Sequence, residues 1–469
     1  MLYIGALISL QFIILTVYWL SKRYNPQGVL LLSGILMLFT AAIVGIPHTA
    51  TTVSTGSAFF DVFKAIGDSF SMNVMHGGLM IITIGGYVVY MKKIKASDAL
   101  VEVSMQPLAL LHRYPYLAAC SIIPIGQILF ICIPSATGLD LLLVATVLPV
   151  LLKIGVSRLT AVSVITACTV FDIGPGSANT LEAAELAGVN KLHYFLDYQL
   201  GVVVPMTLFL MVMYYLTSRY FDRRDRTQAP SNGLETEHTQ STSLTTEQEE
   251  GSGVPHIYAL LPILPLLLLL IFSNYTNLFS GSVNLDITSA TLLSLLIAMA
   301  FDLVRYRSLG AMFHSLKTFW NGMGKTFSGV ITLIVCAEIF SKGLIGLGFV
   351  DALVDVTMNI GLSGITIGVM MTLLIFLVAM LMGSGNASFF SFGPLVPDIA
   401  ARIGVTPISM MLPMQMSAGL GRSVSPIASV IIAVSDIAGV SAFDVMKRNL
   451  IPVVSTLIFM LIYNYVFLI

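Results

Sequence analysis

The stretch MGSGNASFFSFGP, from Met382 to Pro394, determines how the rest of the chain is interpreted. It directly follows GITIGVMMTLLIFLVAML, residues 364–381, an apolar run long enough to cross the hydrocarbon core of a membrane. A non-helical backbone at that depth is costly unless protein or water satisfies its NH and CO groups. We therefore predict that the break lines a cavity, where short polar side chains and helix N-termini favour an anion.

The composition supports this interpretation. Hydrophobic residues make up 56% of the 469 residues and charged residues 10%, with a mean hydropathy of +0.91. These values are typical of an all-α polytopic membrane protein in contact with a lipid bilayer. The formal net charge of −1 suggests no nucleic-acid partner. The four cysteines lack metal-ligand spacing and no GxxxxGK[ST] phosphate loop occurs, so we predict no cofactor, no metal site and no ATP-driven activity.

Apolar runs divide the chain into predicted membrane segments. Eight runs are long enough to span a membrane, at 2–20, 28–46, 73–91, 192–218, 256–272, 286–304, 328–347 and 444–469. Two longer apolar blocks lie between them, each interrupted twice by small and polar residues. The interruptions are IPSATGLD (133–140), DIGPGSANT (172–180), MGSGNAS (382–388) and GLGRSVSP (419–426).

The order of these features indicates an internal repeat. Residues 219–255 are rich in Ser, Thr, Glu and Gly and are predicted to form a solvated, disordered linker. The linker separates a first repeat, 1–218, from a second repeat, 256–469, and each repeat carries two interruptions in the same order. A single interruption could instead serve tight helix crossing, as in GxxxG contacts, but four matched ones favour a binding site.

The distribution of lysine and arginine predicts the orientation. With the linker in the cytoplasm, 18 of these residues fall on the cytoplasmic side and four outside. Both termini are then outside and the two repeats are inverted. Residues 114–153 form a re-entrant hairpin entered from the cytoplasm, and residues 362–402 form one entered from outside. Each hairpin is followed by a broken transmembrane helix, at about 158–190 and 405–440.

The interruptions supply the candidate site residues. Arg422 is the only basic residue predicted to lie deep in the membrane, and its fork suits a carboxylate, although a structural ion pair or a carbonyl cap is the alternative. Asp172 and Asp140 are candidates for cation coupling, with a helix N-terminal carboxylate as the alternative for Asp140. Glu338 and Lys342 have the spacing of an intrahelical pair and are left out of the site. The predicted substrate-binding residues are Ser135, Ala136, Thr137, Gly138, Gly176, Ser177, Asn179, Ser384, Gly385, Asn386, Ser388, Arg422, Ser423 and Ser425.

Several stretches resemble a known family. PSATGLDLLLVATVLPVLLKIGVSR, MGSGNASFFSF, GLGRSVSPIASVIIAVSDIAGVS and FDVMKRNLIPV are similar to the anaerobic four-carbon dicarboxylate transporters of the DcuC type. The resemblance covers nearly the whole chain apart from the linker. It implies a secondary carrier of succinate, fumarate and malate in the bacterial inner membrane, working by cation-coupled symport or by exchange and efflux. It also implies a homodimer, a proton or sodium as coupling ion, and an elevator-like movement.

Three other functions are compatible with parts of this sequence pattern. A carrier for another organic anion, such as citrate, gluconate or a short-chain carboxylate, is the main alternative. An intramembrane hydrolase could use Ser384, but none of the seven histidines lies near an interruption, so we predict no enzyme. An ion channel could also contain broken helices, but inverted re-entrant hairpins with a buried arginine fit alternating access better.

Overall fold

The computed structural model describes residues 2–44, 54–106, 113–228, 254–272, 285–359 and 364–468. These residues form helices and turns, and no β-strand occurs among them. In the first half the helices are α1 Leu2–Ser21, α2 Pro26–Val44, α3 Ala58–Asn73, α4 Leu79–Lys93, α5 Ala96–Met105, α6 Pro115–Cys132, α7 Ala136–Thr146, α8 Leu148–Lys153, α9 Arg158–Ala167, α10 Ala178–Leu186, α11 Lys191–His193 and α12 Leu200–Gln228.

The second half continues in the same way. Its helices are α13 Leu264–Ile271, α14 Ile287–Tyr306, α15 Leu309–Thr326, α16 Thr332–Gly346, α17 Phe349–Asn359, α18 Gly364–Met382, α19 Gly385–Phe392, α20 Val396–Ile403, α21 Pro407–Ser423, α22 Ser429–Ala438 and α23 Ala442–Tyr463. Within the described residues, nine helical segments are long and apolar enough to cross a membrane. The predicted all-α polytopic fold is therefore confirmed, whereas the inverted relation of the two halves stays a prediction.

Two long helices pack against each other along part of their length. A π-turn, Val74–Gly78, joins α3 to α4, and another, Phe327–Ile331, joins α15 to α16. We call these two continuous helices, 58–93 and 309–346, the central helix pair. They run antiparallel, because Gly78 lies against Ile331 while Gly85 lies against Thr326. A Cβ atom on Gly85 would collide with the Thr326 side chain, so the close approach requires glycine at this position.

The hairpins and broken helices pack together beside the central helix pair. We call residues 115–228 and 364–468 the hairpin unit. The two hairpins are α6 with α7 and α8, and α18 with α19 and α20. The backbone is not helical at 168–177, between α9 and α10, or at 424–428, between α21 and α22. A Cβ atom on Gly419 would collide with the Val170 carbonyl oxygen, so this glycine lets α21 touch the first break.

A buried ion pair ties the two halves of the hairpin unit together. Arg448 on α23 lies 2.6 Å from Asp222 on α12, and the two side chains are 8% and 3% exposed. Arg448 also donates to Asp225 at 2.5 Å and to the hydroxyl of Thr160 at 2.6 Å. The sequence predicted Arg448 on the cytoplasmic side, at the start of the apolar run 444–469. Its burial here is compensated by two acidic partners, as a buried arginine requires.

The same contacts explain where the linker starts. The sequence predicted a linker from residue 219, but α12 continues to Gln228. Asp222 and Asp225 stay helical because both hold Arg448. Residues 229–253, which make up most of the predicted linker, lie outside the described residues.

Candidate functional site

Each hairpin tip ends in a serine that caps the following helix. The hydroxyl of Ser135 accepts a hydrogen bond from the Gly138 NH, and the hydroxyl of Ser384 accepts one from the Ala387 NH, both at 3.3 Å. These caps satisfy one of the free NH groups at the start of α7 and of α19. The remaining NH groups of the first turns have no partner within their own helices. Both tips therefore present a positive helix end.

The second tip lies directly against the second break. Gly383 has φ of +68°, a left-handed conformation that side chains other than glycine rarely adopt. A Cβ atom at this position would also lie 2.9 Å from the backbone nitrogen of Ala428. The first glycine of MGSGNAS, Gly383, is thus required both by the turn and by the contact with the second break.

The first break positions the carboxylate of Asp172. Its Oδ1 accepts a hydrogen bond from the Ser177 hydroxyl at 2.6 Å, and its Oδ2 accepts one from the Asn179 amide at 2.9 Å. Gln415 on α21 donates to the backbone carbonyl of Asp172 at 2.9 Å. The Oδ1 atom of Asn179 is buried without a hydrogen-bond partner among the described residues. These hydrogen bonds fix the position of Asp172, and the amide oxygen of Asn179 remains without a donor.

Arg422 lies in the last turn of α21, one residue before the helix ends. The sequence placed it within an interruption, but the non-helical residues start only at 424. Its Nη2 donates to the Thr169 carbonyl at 2.5 Å, and its positive charge acts on Asp140 and Asp172. Among the residues that the structure describes, Arg422 has no acidic partner within the 4.0 Å of an ion pair. The guanidinium thus keeps donors free for another anion.

A cavity of about 470 Å³ brings these elements together between the hairpin unit and the central helix pair. Both hairpin tips, the first break and Arg422 form one side. The other side consists of apolar and small residues of α4 and of the helix 309–346. The lining residues are Ile81, Ile84, Gly85, Val88, Val89, Phe130, Pro134, Ser135, Ala136, Thr137, Asp172, Gly176, Ala178, Thr326, Gly329, Val330, Leu333, Gly383, Ser384, Gly385, Asn386, Arg422, Ser429 and Val430.

Most of the predicted site residues line this cavity, and the others lie behind it. Those in the lining are Ser135, Ala136, Thr137, Asp172, Gly176, Ser384, Gly385, Asn386 and Arg422. Ser177 and Asn179 bind Asp172, and the Gly138 NH binds Ser135. The hydroxyls of Ser388 and Ser423 donate to backbone carbonyls of their own helices, and the Ser425 hydroxyl accepts from the Ile427 NH. Asp140 is fully buried and does not line the cavity.

The wall of the cavity that faces the tips was not predicted from the sequence. Gly85, Val88, Thr326 and Val330 belong to the central helix pair, far along the chain from any interruption. The available signal was the small-residue pair Gly85–Gly86 in an otherwise apolar helix, which permits close helix contact. The glycine pair predicts that another helix packs closely here. It does not predict that these two helices form a wall of the cavity.

A second cavity, of about 350 Å³, lies next to the first along the central helix pair, and Ile81 lines both. Glu338 and Lys342 line it and form the predicted intrahelical pair, 2.9 Å apart, which is confirmed. Ser69 and Asn73 donate hydrogen bonds to the Glu338 carboxylate. Glu182 on α10 lines the same cavity from the hairpin unit. Within the described ranges, no group of three or more His, Cys, Asp or Glu side chains could hold a metal ion.

Comparison with known families identifies the chain's relatives. The family model described as "DcuC: C4-dicarboxylate anaerobic carrier" matches residues 4–468. The chain belongs to the DcuC family. The Anaerobic C4-dicarboxylate transporter DcuC of Escherichia coli K12 is 27% identical over 463 residues, 98% of this chain and 96% of that protein. The Probable anaerobic C4-dicarboxylate transporter DcuC of Vibrio cholerae is 30% identical over 452 residues, covering 95% and 94% of the two chains.

Solved structures show where this DcuC family fold recurs. The YdaH transporter of Alcanivorax borkumensis has a TM-score of 0.57 at 13% identity, covering 94% of this chain and 98% of its own. MtrF of Neisseria gonorrhoeae, from a class of antimetabolite efflux pumps, has a TM-score of 0.59 at 10% identity and covers 96% and 97%. At these identities the likeness concerns the fold alone. Together, the family and the fold identify a multi-pass transporter rather than an enzyme.

Proposed function

We propose that this protein is a secondary carrier of four-carbon dicarboxylates, such as succinate, fumarate and malate, across the bacterial inner membrane. The observation that carries the proposal is Arg422, which lies in the lining of a cavity between two hairpin tips with no acidic partner within 4.0 Å among the described residues. A guanidinium there binds a carboxylate through two parallel hydrogen bonds. The names of the relatives support a four-carbon dicarboxylate as the anion.

A second carboxylate needs a second recognition element. The first turns of α7 and α19 supply backbone NH groups at Ala136, Thr137, Gly385 and Asn386, all in the lining of the cavity. Helix N-termini stabilise an anion through these NH groups and the helix dipole. We propose that Arg422 binds one carboxylate of the substrate and that the tips bind the other. A volume of about 470 Å³ accommodates a four-carbon molecule with some water.

We propose that transport proceeds by elevator-like movement of the hairpin unit along the central helix pair. Two cavities support this proposal, because they lie between the same two surfaces at different levels. The cavity at the hairpin tips borders Gly85 and Thr326, and the second cavity borders Asn73 and Lys342, further along the pair. A shift of the hairpin unit would carry the site from one level to the other.

Two acidic residues near Arg422 are the candidates for coupling transport to a cation. Asp172 lies in the cavity and Asp140 behind it, and both lie within the electrostatic reach of Arg422. We propose that one or both respond to the coupling ion, a proton or sodium, in symport or in exchange. The homodimer implied by the family resemblance is part of the proposal as well.

The orientation proposal has its own test. We expect a cysteine introduced at position 235 to be labelled from the cytoplasm, and one at position 469 to be labelled from outside, because 18 of the 22 lysines and arginines other than Arg422 are then assigned to the cytoplasmic side. The measurement is reaction with a membrane-impermeant maleimide in a background without the four native cysteines. Labelling of both positions from one side would contradict the inverted arrangement.

Counterflow in proteoliposomes tests the proposed function. We expect internal succinate to drive saturable uptake of labelled succinate, with competition by fumarate and malate and little competition by monocarboxylates, citrate or gluconate. Strong competition by citrate or gluconate instead would assign the carrier to another organic anion. A succinate-dependent current without saturable counterflow would indicate a channel.

A further inference from the structure

Asp140 is a fully buried acidic residue behind the wall of the proposed site. Asp140 lies in the first turns of α7 and has no exposed surface. Its Oδ2 accepts a hydrogen bond from the Thr169 hydroxyl at 3.0 Å. Its Oδ1 is buried without a hydrogen-bond partner among the described residues. An ionised carboxylate with one unsatisfied oxygen is costly in such surroundings unless a positive charge lies nearby.

Thr169 connects this carboxyl group to the site. Its hydroxyl donates to Asp140, and its backbone carbonyl accepts the hydrogen bond from Arg422 at 2.5 Å. Through Thr169 the guanidinium of Arg422 lies near Asp140, and its positive charge stabilises the ionised carboxylate. Asp140 therefore depends on Arg422 for its compensating charge, while the cavity side of Arg422 stays open to an anion.

Asp172, the other carboxylate near Arg422, differs in its surroundings. Both of its oxygens accept hydrogen bonds, one from Ser177 and one from Asn179. Such donors stabilise the ionised form even when the charge of Arg422 is taken up by an anion. Asp140 has a single hydrogen-bond donor and one unsatisfied oxygen. Its ionised form therefore loses more stabilisation than that of Asp172 when the guanidinium binds another anion.

Other charges around Asp140 do not replace Arg422. The titratable group beside it is the thiol of Cys168, which contributes no positive charge. Of the helices packed against α7, α6 carries no charged residue, and α5, α8, α9 and α22 carry charges at or near their ends. These are Asp98 and Glu102 on α5, Lys153 as the last residue of α8, Arg158 as the first residue of α9, and Asp436 near the end of α22. The charge that compensates Asp140 is that of Arg422.

We propose that Asp140 takes up one proton when a substrate carboxylate binds Arg422, and releases it when the substrate leaves. The inference rests on the proposed function and assigns the coupling proton to one residue. Two anions compete for one guanidinium, so binding of the substrate favours the neutral form of Asp140 and protonation of Asp140 favours the substrate. The proton comes from water on the side to which the cavity opens, forms an O–H bond on the Asp140 carboxylate, and returns to water after release.

The test is succinate affinity as a function of pH, measured by calorimetry on the purified full chain. The buffers are sodium-free, with a parallel series in sodium, and cover a range in which succinate stays doubly ionised. For the parent we expect the affinity for succinate to fall as the pH rises, by up to about tenfold per pH unit. This is the slope expected when binding takes up one proton. Asp140→Asn keeps an acceptor for Thr169 but cannot titrate, so we expect its affinity to be independent of pH.

Two further variants make the result decisive. Asp436→Asn removes an exposed carboxylate from a helix packed against α7, and we expect it to keep the slope of the parent. Thr169→Val keeps the carbonyl that binds Arg422 but removes the hydrogen-bond donor to Asp140. Without this donor Asp140 stays protonated to higher pH, so the fall in succinate affinity should begin at higher pH. This variant decides the question if Asp140→Asn does not fold.

The outcomes separate this inference from the proposed function. A parent that binds succinate with no pH dependence, with or without sodium, overturns the inference and leaves the proposed function standing. A slope that persists in Asp140→Asn overturns it as well, and so does an unshifted pH dependence in Thr169→Val. A parent that binds no dicarboxylate overturns the proposed function and the inference together.

Discussion

Replacing Arg422 by lysine is expected to weaken succinate binding by at least about tenfold, or about 1.4 kcal/mol. Lysine keeps the charge but loses the planar fork that pairs with a carboxylate through two hydrogen bonds. It also cannot bind the Thr169 carbonyl and the substrate in the same geometry, since Nη2 of Arg422 makes the Thr169 contact. Replacement by alanine should nearly abolish dicarboxylate binding while the helices stay assembled, because Asp140 can take up a proton when the guanidinium is absent.

Calorimetry and counterflow with purified variants would check this expectation. A matched control is Arg402→Lys, because Arg402 pairs with Asp351, is 51% exposed and lies outside the cavity lining. The control should bind succinate like the parent, since surface ion pairs contribute little. If Arg422→Ala also binds succinate like the parent, the arginine is only part of the scaffold and the main argument for an anionic substrate fails.

The second large effect concerns stability. Arg448→Met is expected to destabilise the fold by about 3 to 5 kcal/mol, because it leaves Asp222 buried without its positive partner. Asp222 is 3% exposed, and its Oδ2 already lacks a hydrogen-bond partner among the described residues. The measurement is thermal unfolding in detergent, followed by tryptophan fluorescence or by loss of the monodisperse peak in gel filtration.

A double variant separates loss of the ion pair from loss of packing. Arg448→Met combined with Asp222→Asn removes both charges, and asparagine still offers an acceptor to Ser157 and Thr160, the hydroxyl donors of Asp222. It should recover most of the lost stability. Lys447→Met is the control, because Lys447 is 56% exposed in a surface pair with Asp444, and its effect should be small. Equal losses in the single and double variants would show that packing, not charge, stabilises this region.

The hairpin tips could be predicted from sequence because the signal is local. MGSGNAS and IPSATGLD each place small, polar or helix-capping residues within an apolar block, and a membrane tolerates such a backbone only around a cavity. Ser384 and Ser135 accordingly cap helices that face the cavity. The other two interruptions also border the cavity, and they place Asp172, Gly176 and Arg422 in its lining. Local pattern was sufficient for one side of the site.

The rest depends on contacts between distant parts of the chain. Gly85 and Thr326 face the tips only because two long helices cross there, and neither helix contains an interruption. The α3 segment was not among the predicted spans, since it becomes part of a long helix only through the π-turn to α4. The ion pair of Arg448 was not predicted, because its partners, Asp222 and Asp225, lie more than 200 residues earlier. Periodicity and composition carry no signal for such pairings.

The central claim is that a dicarboxylate binds between the two hairpin tips at Arg422. An experimental structure of the full chain in lipid nanodiscs with succinate tests it most directly. The account predicts density for a four-carbon molecule in the cavity lined by Ser135, Ser384 and Arg422, with one carboxylate within hydrogen-bond distance of the guanidinium. Succinate bound instead beside Glu338 and Lys342 in the second cavity, with the tips empty, would contradict it.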